Sequence, residues 1–149
     1  MIGLNKILFV VSIIVLMIVG FGIVKSRNKK EPLTIKTQAQ NKFISQENEG
    51  KNVKVIVTPK TLAVGEKPSF NIVFETHSVD LNFDVAQISS LVDEKGKVFN
   101  NSIWEGTGPG GHHRNGDLTF NEILSKTKLV KLIIKNVAGV LQRKLRWEL

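Results

Sequence analysis

The chain has 149 residues, no cysteine, no tyrosine and a formal charge of +8 from 21 Lys/Arg against 13 Asp/Glu. That length fits one folded domain. The missing cysteine excludes disulfides, thiolate copper or zinc sites and anchoring through a lipidated cysteine. Residues 25–50 hold six Lys/Arg against three acids and residues 51–149 fourteen against ten, so the excess gathers early in the chain. The domain itself is mildly basic and has no nucleic-acid-binding motif, so no nucleic-acid partner is expected.

Ile7 to Val24 is a run of 18 residues without a charge. As a helix it rises about 27 Å, close to the roughly 30 Å hydrocarbon core of a bilayer. It lacks the polar stripe of a buried core helix. A cleaved signal peptide has a shorter apolar region and a small-residue cleavage site, which Gly20-Phe21-Gly22 matches poorly. Residues 1–24 are therefore expected to be an N-terminal transmembrane signal-anchor. Lys25, Arg27, Lys29 and Lys30 behind the span argue, by the positive-inside rule, for a cytoplasmic domain. A span that begins at residue 7 is the usual form of a signal-anchor and argues the other way. The expectation is a single-pass membrane protein with an extracytoplasmic domain. Residues 25–50 are polar, with few large apolar groups, and read as a stalk.

From Asn52 the apolar residues repeat every second position. Val53, Val55 and Val57 form a first strand, and Gly65-Glu66-Lys67-Pro68 a turn. Phe70, Ile72 and Phe74 form a second strand, and Val79, Leu81 and Phe83 a third extended stretch. Ile88 to Val92 ends in the turn Asp93-Glu94-Lys95-Gly96, and Lys97 to Trp104 returns. Residues 106–116 read as a long glycine-rich loop. Leu118 and Phe120 begin another strand. Lys128 to Lys135, the turn Val137-Ala138-Gly139 and a strand from Val140 to the C-terminus complete the pattern. Seven or eight short strands over residues 51–149 predict an all-β, immunoglobulin-like antiparallel sandwich. Its core must come from Phe70, Phe74, Phe83, Phe99, Phe120, Trp147 and the aliphatics, since no disulfide is possible.

The three histidines fall in two polar segments, Thr76-His77-Ser78-Val79-Asp80-Leu81 and Gly110-Gly111-His112-His113-Arg114. Neutral imidazole is a common metal ligand, and a zinc site needs three or four N, O or S donors. If the segments meet, His77, His112 and His113 make a candidate site for a divalent ion such as Zn²⁺ or Cu²⁺. Asp80, Glu105, Arg114 and Asp117 are candidate supporting groups that orient the imidazoles. Adjacent residues of an extended chain point apart, so one of His112 and His113 is expected to face His77. The alternative is a structural loop, in which His77 pins a strand end, Arg114 pairs with Asp80 or Asp84, and Trp104 packs beneath the glycines. No metalloprotease, nucleophile-elbow or phosphate-loop spacing is present, so catalysis has no supporting motif. Lys126, Lys128, Lys131, Lys135, Arg143, Lys144 and Arg146 make a basic set on the last strands. They are expected to form a solvated sheet face that protects an edge, with anionic lipid or an acidic partner as the rival reading.

Together, Thr76-His77-Ser78-Val79-Asp80-Leu81, Trp104-Glu105-Gly106, Gly110-Gly111-His112-His113-Arg114, Gly116-x-Leu118-x-Phe120 and Arg146-Trp147-Glu148-Leu149 resemble a group of uncharacterised membrane-anchored bacterial and archaeal proteins. The resemblance covers residues 53–149. It implies an extracytoplasmic single β domain whose histidine segments travel together, and it supplies no substrate. The sequence thus supports a membrane-tethered binding domain with a three-histidine metal cluster. The alternative is a metal-free envelope scaffold that binds a protein partner. A metal-dependent hydrolase is the remotest of the three.

Overall fold

The computed structural model describes residues 43–149. The expected membrane span and residues 25–42 of the expected stalk lie outside them. Among the described residues no helix is long and apolar enough to cross a membrane. The described chain forms β1 (Gln46–Gly50), β2 (Val53–Thr61), β3 (Ser69–Thr76), the single turn of helix α1 (Val85–Ile88), β4 (Ser89–Asp93), β5 (Val98–Phe99), β6 (Ser102–Gly106), β7 (His113–Phe120), β8 (Leu129–Val137) and β9 (Val140–Glu148). One sheet has the order β1-β2-β3-β7-β6 and the other β5-β4-β8-β9. Every pairing is antiparallel.

The period-two pattern builds the core. Val53, Val55 and Val57 of β2, Phe70, Ile72 and Phe74 of β3, and Leu118 and Phe120 of β7 are buried on one sheet. Leu91, Val130, Leu132, Ile134, Leu145 and Trp147 face them from the other. Phe70 joins the two ends of this list: its ring lies 6.2 Å from Phe120 edge-on and 5.4 Å from Trp147. Each such side chain contributes about 1.5–3 kcal/mol on leaving water. Pro59, which cannot donate to a ladder, lies past the end of β1, since Gln46 is the partner of Val57.

Four stretches differ from the sequence reading. Gln46–Gly50, expected in the stalk, is a sheet strand. Its alternation was obscured because its inward positions are polar. Val79, Leu81 and Phe83 do not form a strand: Asp84 caps α1 by accepting from the amides of Ala86 at 2.9 Å and Gln87 at 3.2 Å, and the segment crosses between the sheets. Lys97 to Trp104 is two strands on different sheets, β5 and β6. The glycine-rich loop shrinks to residues 107–112, because His113–Gly116 already pair with β3.

Polar side chains close the side of the sandwich where β1 meets β9. Gln46 donates to the carbonyl of Arg146 and accepts from its amide. Arg143 is fully buried, on the same inward parity as Leu145 and Trp147. Its guanidinium donates to Asn48 O at 3.0 Å, Asn48 Oδ1 at 2.8 Å and Gly50 O at 2.7 Å. It is therefore not part of the solvated basic set. Burial pushes its pKa down, from a value high enough that it stays charged.

The sandwich has two distinguishable poles. The chain arrives at Phe43–Ser45, where the carbonyl of Ile44 accepts from Trp147 Nε1 at 3.0 Å. β1 runs away from there to Gly50, level with Val53 and, across β2, with Thr76. Six residue steps, the last four within β1, separate Ile44 from Gly50, at most about 20 Å. The far pole carries two tight hairpins, with Lys51-Asn52 and Ala138-Gly139 in left-handed backbone as two-residue type I′ turns demand.

Arg143→Met should cost about 2–4 kcal/mol, because the carbonyls of Asn48 and Gly50 lose their donor in a buried setting. Denaturant unfolding reads the loss, and amide exchange should accelerate first at Glu47–Gly50. Unchanged stability with unchanged exchange in β1 would contradict the role given to this residue.

Candidate functional site

The two histidine segments meet at the far pole. β3 ends at Thr76, whose hydroxyl accepts from the amides of Ser78 and Val79 at 3.3 Å each and so turns the chain off the sheet. The turned segment then pairs with the 107–112 loop. Thr76 N donates to His112 O at 3.0 Å, Leu81 N to Gly111 O at 2.9 Å, and Gly110 N to Leu81 O at 3.0 Å. Asp80 Oδ1 accepts from Gly111 N at 2.7 Å. Gly110 and Gly111 both take positive φ, which lets two successive peptide units face residues 80–81.

His77 and His113 come together, with ring centroids 6.2 Å apart and planes at 77°. Both are exposed. His113 lies opposite Glu75 on the outer face of the first sheet. His112 is exposed, and its carbonyl rather than its ring makes the link to β3. Among the described residues no three His, Cys, Asp or Glu side chains are grouped so as to share a metal ion. Of the expected supporting groups, Asp80 is engaged by the loop backbone. Glu105 and Asp117 face each other across β6 and β7, four residues along the strand from His113, or about 13 Å. Asp117 accepts instead from Lys60 and, at 2.9 Å, from Asn71.

Arg114 is the structural centre of this region. It is 2% exposed and pairs with neither Asp80 nor Asp84. Its guanidinium donates to Leu81 O at 3.0 Å, Phe83 O at 2.6 Å and Thr107 O at 3.1 Å. The same group lies 5.0 Å from the Phe83 ring centre and 6.0 Å from that of Trp104, within cation–π range. Desolvation lowers its pKa, and the more distant Asp84 carboxylate opposes that. The carbonyl geometry explains why the ion pair does not form: both loops present oxygens to Arg114, so the charge is met without a carboxylate.

Beside Arg114 the backbones of β6 and β7 come close. Gly106 and Gly116 are register partners. A Cβ on Gly116 would stand 2.5 Å from Gly106 Cα, 2.6 Å from Glu105 O and 2.7 Å from the Trp104 indole. The indole occupies the space two side chains would fill, and its Nε1 donates to Thr107 O at 3.0 Å. Next to it opens a pocket of ≈ 360 Å³ lined by Phe83, Val85, Ile103, Trp104, Pro109 and Arg114, among others. The 107–112 loop therefore has this pocket on one flank and the His77–His113 pair on the other. Sequence reasoning did not find the pocket. The only signal for it was Arg114 on the same inward parity as Leu118 and Phe120.

Gly116→Ala should lower the melting temperature by several degrees, from an overpacking cost of about 1–3 kcal/mol. Scanning calorimetry reads it, and an unchanged melting temperature would refute the close packing. The hydrogen bonds from Lys60 and then Asn71 hold the Asp117 carboxyl below its ordinary pKa. A depressed carboxylate contributes stability above the usual carboxylate range and loses it as pH falls through the folded value. Lys60→Met should therefore lose at most about 1 kcal/mol at neutral pH, both partners being partly exposed. The difference from the parent should vanish as the pH falls through the depressed value of the Asp117 carboxyl. A difference that persists in acid would rule out this assignment.

No family model, no curated protein and no solved structure matches the chain.

Proposed function

We propose that the chain is a membrane-tethered binding domain, held outside the cytoplasm by its N-terminal apolar segment, that offers its far pole to a protein partner of the cell envelope. One observation carries the reading. The described chain begins at one pole, and the docked histidine segments sit exposed at the other, clear of the strand ends that hold its first residues. The loop at that end is fixed by backbone hydrogen bonds and by buried Arg114, which limits the ordering cost of binding. The adjoining Phe83–Trp104 pocket can accept an apolar side chain from the partner. The strand orders β2-β3-β7-β6 and β5-β4-β8-β9 support an immunoglobulin-like reading of the sandwich, because they follow the ABED and C′CFG arrangement of that fold. They also suit the kind of extracytoplasmic domain implied by the resemblance noted above.

The metal reading retains one supporting observation, the approach of His77 to His113. A Zn²⁺ or Cu²⁺ site there would need His112 or a ligand from outside the described residues to complete it. The protein-partner reading needs no such addition and is preferred. Asp80 and Arg114 support either reading as loop-fixing residues rather than as ligands.

A photo-crosslinking residue in place of His112 in the full chain, expressed in its membrane, should capture one discrete partner. The same residue in place of Glu66, in the β2–β3 loop, should not. Equal capture at both positions, or none at His112, would sink the reading. Titration of the detergent-solubilised chain with Zn²⁺ and Cu²⁺ decides the rival: one ion per chain, lost in both His77→Ala and His113→Ala, would move the assignment to metal binding.

A further inference from the structure

The two outer faces of the sandwich differ in charge. On the outer face of the first sheet stand Glu47, Glu49, Glu75, Glu105 and Asp117 against Lys54 and Lys60. On the second sheet the charged outward residues of β8 and β9 are Lys131, Lys135, Lys144 and Arg146 against Glu148, and Glu94 of the β4–β5 turn lines the same hollow as Lys131 and Arg146. Their register packs them into one patch: Lys131 is the partner of Arg146, and Lys144 that of Ile133, which lies between Lys131 and Lys135. Lys131, Lys135 and Lys144 belong to no ion pair among the described residues, whereas Lys54 and Lys60 are both paired with acids. Ile133 and Val92 lie half-buried among the lysines, so the patch offers aliphatic surface between its charges.

Ile44 and Gln46 are bonded to Trp147 and Arg146 of β9, and β9 is the edge strand of the basic sheet. β1, which follows directly, is the edge strand of the acidic sheet, so the described chain begins where the two sheets meet.

We propose that the outer face of the β5-β4-β8-β9 sheet lies against the anionic headgroups of the membrane that holds the chain. Lysines near a charged leaflet each favour the docked state about fivefold, and the attraction fades over a Debye length of roughly 10 Å. The domain then rests on its basic sheet. The acidic sheet, with exposed His113 on its outer face, looks away from the bilayer. This rests on the tethered reading above, and the test separates the two.

The full chain is reconstituted with vesicles of phosphatidylcholine alone and with vesicles of equal parts phosphatidylcholine and phosphatidylglycerol. Flotation and the acylation rate of each lysine are then measured. Flotation with neutral vesicles reads the anchor. Slower acylation of Lys131, Lys135 and Lys144 in anionic vesicles only, with Lys60 unchanged and the effect erased at about 1 M salt, reads the face. The Lys131→Gln/Lys135→Gln/Lys144→Gln variant, with its fold checked by circular dichroism, should lower the docked-to-undocked ratio roughly a hundredfold. Flotation followed by equal acylation in both vesicles, or equal protection of Lys60, overturns the docking face and leaves the tether standing. Flotation with anionic vesicles alone overturns the anchor and upholds the face. Protection by added nucleic acid or acidic protein but not by anionic vesicles assigns the patch to another partner and also overturns the proposal.

Discussion

A two-sheet sandwich must close its long sides, and in this protein each side hinges on one buried arginine whose charge is met by carbonyl oxygens. Arg143 ties β9 to β1, and Arg114 ties β7 to the 81–83 crossover and the 107–112 loop. Among the described residues neither forms a salt bridge. The desolvation of two guanidinium groups is costly, and what offsets it is the number and direction of the acceptors. Three fixed oxygens surround each planar fork, a match that lysine could not make. One Nε of each remains without a partner, so the match is incomplete and the burial is held by the surrounding core.

The arginines also set what the rest of the molecule can be. Arg143 ties β1, the edge strand of the first sheet, to β9, the edge strand of the second. With Arg114 holding the crossover, the histidine segments are forced to meet and the 107–112 loop cannot swing free. The placement of β1 and that of the candidate site thus both depend on side chains of the same type.

Much of the sandwich was legible in the sequence, because alternation depends only on which face of a strand is wet. Val53-x-Val55-x-Val57 and Phe70-x-Ile72-x-Phe74 read directly as half-buried strands. β1 was missed since its inward positions, Gln46 and Asn48, are polar and bond to β9 instead of packing. Val79, Leu81 and Phe83 alternate without being a strand, because the hydrogen bonds of that segment go to a loop and to Arg114 rather than to a neighbouring strand. The meeting of the histidine segments was anticipated as a possibility, but the roles of Asp80 and Arg114 were not. Which carboxylate a cation reaches is decided by where backbone oxygens already stand, and a linear sequence does not record that. Arg143 and Arg114 carried a usable clue in their inward parity, which outweighs the prior that a charged residue faces water.

The placement of the two tryptophans has an optical consequence. With no tyrosine and only two indoles in the chain, emission excited at wavelengths beyond phenylalanine absorption comes from Trp147 and Trp104. Trp147 is 4% exposed, beside the arriving chain, while Trp104 is half-buried at the mouth of the pocket. One reports from a dry setting and the other from the edge of solvent, so their spectra separate. A single Trp→Phe replacement leaves a built-in lamp at either the pole where the described chain begins or the pocket, with no extrinsic dye.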